Sequence, residues 1–584
     1  MNKERNFSST SNKPNRFLKF PHYSDIFKED EPPIETLFFN GPIDTYILYL
    51  SSLNDEIFFG NLREASLTSI RKLTSRLGDN LRVQILYNYF HGNEGKEFDV
   101  VFGVKSVTDL IIYLLSNCNL DSNENDSTSE DELNLLKAIL IFNRISYSNK
   151  FDNKAHLFKT INEQSHTKLI KPFFPIYFSQ IQFNLFPEFH YLSYKTFTIV
   201  NELKQNNLLK DLILEFINQN GFVDFKEWIG QYLSIIHYWY HRKNGEPVDK
   251  ISISLKKEYL DSHTFSLTDD GLPKLASKQN YEIFIKKSFY KSAFLDRPIL
   301  INYYFLFKLF DNEIYFKLRE YIESNQIKQP DSNKSIALKS IFGKDIIENK
   351  FFKGIMKNFL DIRKYKIEEI ESKKRISEPD LYVTKNKYHL IFELKDSLID
   401  SQTIEKCNIE EIYDNLKRNY ANVSDKKGVV QLANFIKYLF PKISEHNITI
   451  FPILVVTEEI TKCTGYRDLI NNLFWEEFKN ISIPSKVVIK GMALINLRTL
   501  FNLSVSNKKF DMVEILTKYH EKVAVQIKKV NKLGTIESAS SFSDNFEDLT
   551  GLNETKFGYN QNQNKQLVQQ LEISNWIDEF EIKI

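Results

Sequence analysis

Between residues 343 and 360 the apolar positions Ile347, Phe351, Phe352, Ile355, Met356 and Phe359 recur at helical spacing and predict a helix with one apolar stripe. Projected at ~3.6 residues per turn, Glu348 falls in the middle of that stripe. The period then changes. Residues 380–384 and 388–395 are strand-like runs, the second built on Leu390-Ile391-Phe392. The polar Lys385-Asn386-Lys387 between them predicts a hairpin. A second helix is expected over Lys426–Leu439, with Lys427, Gln431 and Asn434 on one face. Ile448–Thr457 is a continuous apolar run, as in a strand buried on both faces. Pro452 inside it predicts a bulge or two short strands. The run Lys486–Leu497 can supply the last strands.

The first 330 residues are patterned mainly as helix, with amphipathic stretches across Asp211–His241. Asp121–Glu132 is polar and acidic and reads as a loop. Residues 294–322 hold a strand-like Pro298-Ile299-Leu300-Ile301 followed by an aromatic-rich helix. From Val530 to Gln566 the chain turns rich in Ser, Asn, Gln, Gly and Asp, the composition of a flexible linker. Apolar periodicity returns in Leu567–Ile584 around Leu571, Ile573, Trp576, Ile577 and Phe580, a helix suited to docking on a partner or on the same chain.

The hairpin carries the chemistry. Residues two apart on a strand share a face, so Glu393 and Lys395 project together. Pairing of Thr384 with His389 would set Asp380 opposite Glu393, with Cβ atoms ~5 Å apart. Two carboxylates that close repel unless a cation lies between them or one is protonated. A hard divalent ion with oxygen ligands, Mg²⁺ or Mn²⁺, is the natural bridge. Glu348, on a core-facing stripe, likewise calls for a partner or a metal.

These residues resemble the motif of the PD-(D/E)XK nuclease superfamily, with its restriction-endonuclease-like fold. Pro379-Asp380 stands for the first half, and Glu393-Leu394-Lys395, closing an apolar strand, stands for the second. The Gly343-Lys344 start leading to Glu348 is similar to the first helix of that nuclease core, which often carries a further acid to the metal; Asp345 is the substitute. The resemblance implies Asp380 and Glu393 as ligands of Mg²⁺ (or Mn²⁺), with the main-chain carbonyl of Leu394 and with Glu348 completing the shell. Lys395 would activate a water, and Gln431 would orient Lys395 or the phosphate. Lys427, Lys417 and Arg418 are candidates for backbone phosphate contacts.

Composition changes this picture little. A chain of 584 residues predicts two to four domains. A net charge of +1 does not advertise nucleic-acid binding, yet a local basic groove is enough for phosphate. The three cysteines, Cys118, Cys407 and Cys463, are too dispersed for a disulfide framework or a zinc cluster and fit a reducing cytoplasm. No apolar stretch reaches the ~18–20 residues of a membrane span, and the polar N-terminus lacks a signal-peptide core. A phosphate-binding Gly-x-x-x-x-Gly-Lys loop is also missing. His237 and His241 stand four apart among aromatics and read as part of a packed helix.

The expected organisation is a mainly helical regulatory or targeting region (1–290, with a break near 121–132), a lead-in (291–334), and an α/β nuclease core with a mixed central sheet (335–505). A helical extension (506–529), a flexible linker (530–566) and a docking helix (567–584) follow. The expected activity is that of a cytoplasmic, Mg²⁺-dependent endonuclease hydrolysing phosphodiester bonds, most plausibly in DNA. By the same resemblance its role would be bacterial defence against phage or foreign DNA. Two alternatives stay open: a silent nuclease fold that binds or regulates, and a nuclease that cuts RNA.

Overall fold

The computed structural model describes residues 20–147 and 189–550 apart from internal stretches, the longest being 118–127, 228–255, 268–280, 369–377 and 534–544. His237, His241 and the expected docking helix at 567–584 lie outside the described residues.

The front is helical, as its periodicity predicts. Helices α1 (Ile43–Phe59), α2 (Val104–Asn117) and α3 (Ser129–Tyr147) share one apolar cluster. In α2 the buried Val107, Leu110, Ile111, Leu114 and Leu115 follow the three-and-four spacing of one helix face. Helix α3 begins inside the expected acidic loop. The Asp131 carboxylate accepts from the Thr128 N–H at 2.7 Å, while Thr128 Oγ1 accepts from the Asp131 N–H at 3.2 Å. This reciprocal cap converts the last residues of the acidic run into a first helical turn, where their charge suits the helix dipole. Helix α4 (Phe189–Gln205) belongs to a second cluster.

A small sheet follows, β1 (Thr264–Phe265), β2 (Phe289–Tyr290) and β3 (Ile299–Leu300) in that order. Thus the strand expected in the lead-in pairs with the front, not with the main sheet. Helix α5 (Tyr303–Ser324) starts where the Asn302 side chain accepts from the Tyr304 N–H. Front and lead-in are tied by buried polar contacts. Asp44 accepts from the Ser292 hydroxyl at 2.7 Å, Asn302 Nδ2 donates to Thr108 Oγ1 at 3.1 Å, and Asn54 Nδ2 donates to the Ile301 carbonyl at 3.1 Å.

The expected helix at 343–360 is present but not uniform. Residues Ile341–Phe352 form a π-helix, and only Lys353–Asp361 is an α-helix, α6. The buried positions Phe342, Ile346, Ile347, Phe351 and Phe352 are spaced four, one, four and one apart, which suits the wider π turn. In α6 they return to three-and-four spacing with Ile355, Met356, Phe359 and Leu360.

Six strands make the main sheet: β4 (Lys366–Ile367), β5 (Leu381–Lys385), β6 (Tyr388–Lys395), β7 (Ile448–Val456), β8 (Val487–Ile489) and β9 (Ala493–Asn496). The order is β4-β5-β6-β7-β8, with β9 also on β7. The first two pairings are antiparallel and the rest parallel, so the sheet is mixed. Asn386 takes φ 54° in the tight turn between β5 and β6, a conformation that asparagine tolerates.

Helices cover both faces. Ile391, Ile450, Leu454 and Val456 pack with α7 (Ile409–Tyr420), α8 (Val429–Ile443) and α9 (Tyr466–Glu476) in the cluster shared with the front. Leu390, Phe392, Phe451, Ile453 and Val455 pack on the other side with the π-helix, α6, α10 (Leu497–Val505) and α11 (Met512–Leu533). Each fully buried aliphatic or Phe side chain contributes about 1.5–3 kcal/mol.

Three boundaries depart from the sequence reading. Helix α8 begins at Val429, not Lys426, because Gly428 turns the chain with φ 66°. Strand β7 shows no bulge at Pro452. The Ile448 N–H bonds to Lys486 and the Ile450 carbonyl to the Lys490 N–H, so even-numbered residues of β7 address β8 and β9. Strand β8 ends opposite Ile450 and β9 begins opposite Ile453. Pro452, which has no N–H to offer, sits in that gap. Lastly, the expected linker is structured in part: α11 runs on to Leu533, and Phe546–Thr550 forms a short helix with Phe546 and Leu549 buried. Glu547 accepts from Thr499 Oγ1 at 2.5 Å and holds that helix on α10.

Candidate active site

Thr384 pairs with His389 and Leu381 with Phe392, where the ladder ends one residue short of Asp380. Ile391 packs on one side of the sheet, Phe392 and Leu394 on the other. Alternation therefore puts Glu393 and Lys395 on the side of Ile391 and α8. Asp380 sits one residue ahead of β5, and its Oδ2 accepts from the Leu394 N–H at 2.6 Å. Glu393 is only 1% exposed. Its Oε1 accepts from Lys395 Nζ at 2.6 Å, and its Oε2 has no hydrogen-bond partner.

Gln431 stands behind this pair, 8% exposed on the first turn of α8. Its amide donates to the carbonyl of Glu378, two residues before Asp380. The side chain thus anchors the segment that delivers Asp380, where the sequence reading had it facing Lys395 or a phosphate. Gly428 makes that placement possible. A Cβ there would lie 2.0 Å from the Tyr420 carbonyl oxygen, so α7 and α8 approach only through glycine.

Glu348 arrives from the π-helix. Its Oε1 accepts from Lys353 Nζ at 3.1 Å, five residues on and one π turn away. The same ammonium donates to Asn349 Oδ1 at 2.7 Å. Glu348 is not buried in the apolar stripe, because the stripe was projected with an α period. Asp345, its substitute, is exposed.

Charge in the site is out of balance. Burial raises the Asp380 pKa to about 6, with the Glu348 carboxylate adding to it; the Leu394 N–H, Lys395 and Lys353 pull against them. Burial, joined by the Asp380 charge, pushes Glu393 up to about 8 in spite of Lys395. Without a cation, the Asp380–Glu393 pair thus resists carrying two negative charges.

Among the described residues, no three His, Cys, Asp or Glu side chains gather as a ready-made cation cage. The donors that fit are fewer: Asp380, and Glu393 with its orphaned Oε2. A hard octahedral ion that keeps several waters is commonly held by one or two carboxylates together with substrate phosphate, so the set suits Mg²⁺ or Mn²⁺. The expected participation of Glu348 is reduced to a charge acting on Asp380, since Lys353 holds it.

Lys417 and Arg418 are exposed in the last turn of α7, and Lys427 is exposed ahead of α8. Lys353, missed in the sequence, is the second ammonium of the site, and its signal was the five-residue spacing from Glu348. Asp396 was also missed; it accepts from Thr457 Oγ1 at 2.7 Å and joins the ends of β6 and β7. Among the described residues, no helix is long and apolar enough to cross a membrane. No protein-family model, curated protein or solved structure matches the chain.

Proposed function

We propose that the chain is a divalent-cation-dependent nuclease of PD-(D/E)XK type, hydrolysing phosphodiester bonds, with DNA as the first substrate class to test. The observation that carries the reading is Glu393: a buried carboxylate with one oxygen on Lys395 and the other without a partner, near enough to Asp380 to feel its charge. Such an arrangement is costly to the fold and has a purpose if a cation completes it.

Asp380 and Glu393 would hold the ion, which supplies Lewis-acid charge at the phosphoryl oxygens when bound. The protein's own groups do the rest. Glu393 Oε1 fixes the Lys395 ammonium, which can orient a water for in-line attack and offset charge as it builds on phosphorus. The Leu394 N–H fixes one oxygen of Asp380, and Gln431 fixes the segment before it. Defence against foreign DNA remains the role suggested by resemblance to that nuclease class.

Incubation of supercoiled plasmid with the full chain tests the reading. Nicking is expected with Mg²⁺, and is expected to vanish with chelator and in Lys395→Ala. A folded parent that leaves DNA intact but cuts RNA would change the substrate. One that cuts neither would favour a binding protein on this fold.

A further inference from the structure

A cleft of about 320 Å³ lies where five segments of the chain meet. Lys195 and Thr196 of α4 form one wall and α5 another; Gly343 and Ile347 of the π-helix form the floor, with Asp396 and Asn419 at one end. Ile347 precedes Glu348 and Asp396 follows Lys395. The cleft thus borders the two chain segments that carry Glu348 and Lys395.

We propose that this cleft holds one unpaired nucleotide of a single-stranded nucleic acid whose backbone continues to Lys395; the inference rests on the nuclease reading. The volume, near the lower end of the ~300–1,000 Å³ of small-ligand sites, suits one base and sugar and excludes a duplex. Its chemistry is that of a single-strand groove, aromatic faces interleaved with cations. Phe316 is 39% exposed, an unusual position for such a side chain on a helix with a buried face beside it. Tyr315 stands edge-on between Phe316 and Phe342, at centroid distances of 5.3 and 5.4 Å. These rings offer a base something to stack on.

The cations are suited to phosphate. Lys195 is spent on Asp311, 2.5 Å away, a pair that braces α4 against α5 and keeps the wall rigid. Asp396 is occupied by Thr457. Arg319 and Lys339 are the solvent-facing cations of the cleft. Arg319 is bound to exposed Glu323 at 2.7 Å, a surface pair weak enough to exchange for a phosphate. Asn312 and Asn419 also line the cleft, each with its Nδ2 donating within its own helix, to the Lys308 carbonyl and to Asn415 Oδ1.

The test uses the full chain with Lys395→Ala, so that nothing is cut, and fluorescence anisotropy of labelled 12-mers: single-stranded DNA, single-stranded RNA and duplex DNA. The single strands are expected to bind more tightly than the duplex. Arg319→Ala with Lys339→Ala should weaken single-strand binding at least tenfold and reduce the slope of log K against log[salt] by about 1.4, for two phosphate contacts at ~0.7 each. Phe316→Ala should weaken binding without changing the slope. All three positions are exposed or half-exposed, and unchanged melting temperatures would confirm intact folding. Lys518→Ala, on the exposed face of α11, should change nothing.

The proposal is overturned if the parent does not bind single strands, if duplex binds better, if the cleft variants bind as the parent does, or if deoxyadenosine monophosphate competes as well as the 12-mer. Retained plasmid nicking with any of these results leaves the nuclease standing and removes the cleft. Cleft-dependent binding by a protein that never cuts removes the nuclease reading and leaves the cleft.

Discussion

Asp380 and Glu393 are acids held where ionisation is resisted, and the sign of the effect on stability can be worked out. Their unfolded pKa values are about 3.9 and 4.3, and both are raised in the fold, to about 6 and about 8. Between the unfolded and folded values the native state binds the proton that the unfolded chain has released. Stability therefore falls as pH rises from about 4 through about 6 for Asp380, and on through about 8 for Glu393. Asp380→Asn and Glu393→Gln remove that penalty. Without divalent ions, each variant is expected to melt at or above the parent temperature at pH 8, and to lose the advantage toward pH 5. Saturating Mg²⁺ should reverse the order by stabilising only the parent. Cleavage should be lost in both. A parent whose melting temperature ignores Mg²⁺ would remove the cation from the site, and undiminished cleavage in both variants would move catalysis elsewhere. The Asp380–Glu393–Lys395 juxtaposition was legible in the sequence because strand alternation and a two-residue turn leave little freedom of register. The partner of Gln431 was not legible, because it is a backbone carbonyl 53 residues away.

At the scale of elements, the informative departures come from backbone geometry that apolar patterns do not encode. The helix at 343–360 was legible as a helix, since every residue of its predicted stripe is buried. Its winding was not, and the position of Glu348 depended on the winding. The crossing of α7 and α8 was hidden for a different reason. Only Gly428 hinted at it, and a lone glycine does not say which carbonyl it approaches. Replacement by alanine tests the point. Gly428→Ala meets the Tyr420 carbonyl at 2.0 Å and adopts φ 66°, a strained value for any residue with a Cβ. Strain alone costs ~1–3 kcal/mol. The expected result is a lower melting temperature together with weaker cleavage, because the start of α8 carries Gln431 and Gln431 carries the segment before Asp380. A variant as stable as the parent would mean that α7 and α8 separate freely.

At the scale of the whole molecule, the front had been expected to act as an attached regulator, separable near residue 290. The packing joins it to the rest. One continuous apolar cluster runs from α1–α3 to α7–α9 and to one side of the main sheet. Asp44, Thr108 and Asn54 bind the lead-in by buried hydrogen bonds. Removal of residues 1–290 strips one side of that cluster, so the truncated chain is expected to aggregate or to bind hydrophobic dye. The full chain should unfold in a single calorimetric transition across these parts. Two resolved transitions, or a soluble and active fragment from residue 291 onward, would restore the separable front. Pattern alone could not reveal this, since a helix face shows that it is buried but not by what.

The proline in β7 has a bearing on the life of the chain before it is folded. Ile448-Thr449-Ile450-Phe451 and Ile453-Leu454-Val455-Val456 would together make an uncharged nine-residue strand, long enough to stack into fibrils with copies of itself. Pro452 divides it into two four-residue halves, each shorter than the six or seven residues such stacking needs. In the finished sheet the missing donor is harmless, because β8 has ended and β9 has not begun. The interruption in the partner strands thus allows a safeguard against self-assembly to be carried in a buried central strand, during the interval when that strand is still open to its neighbours on the ribosome.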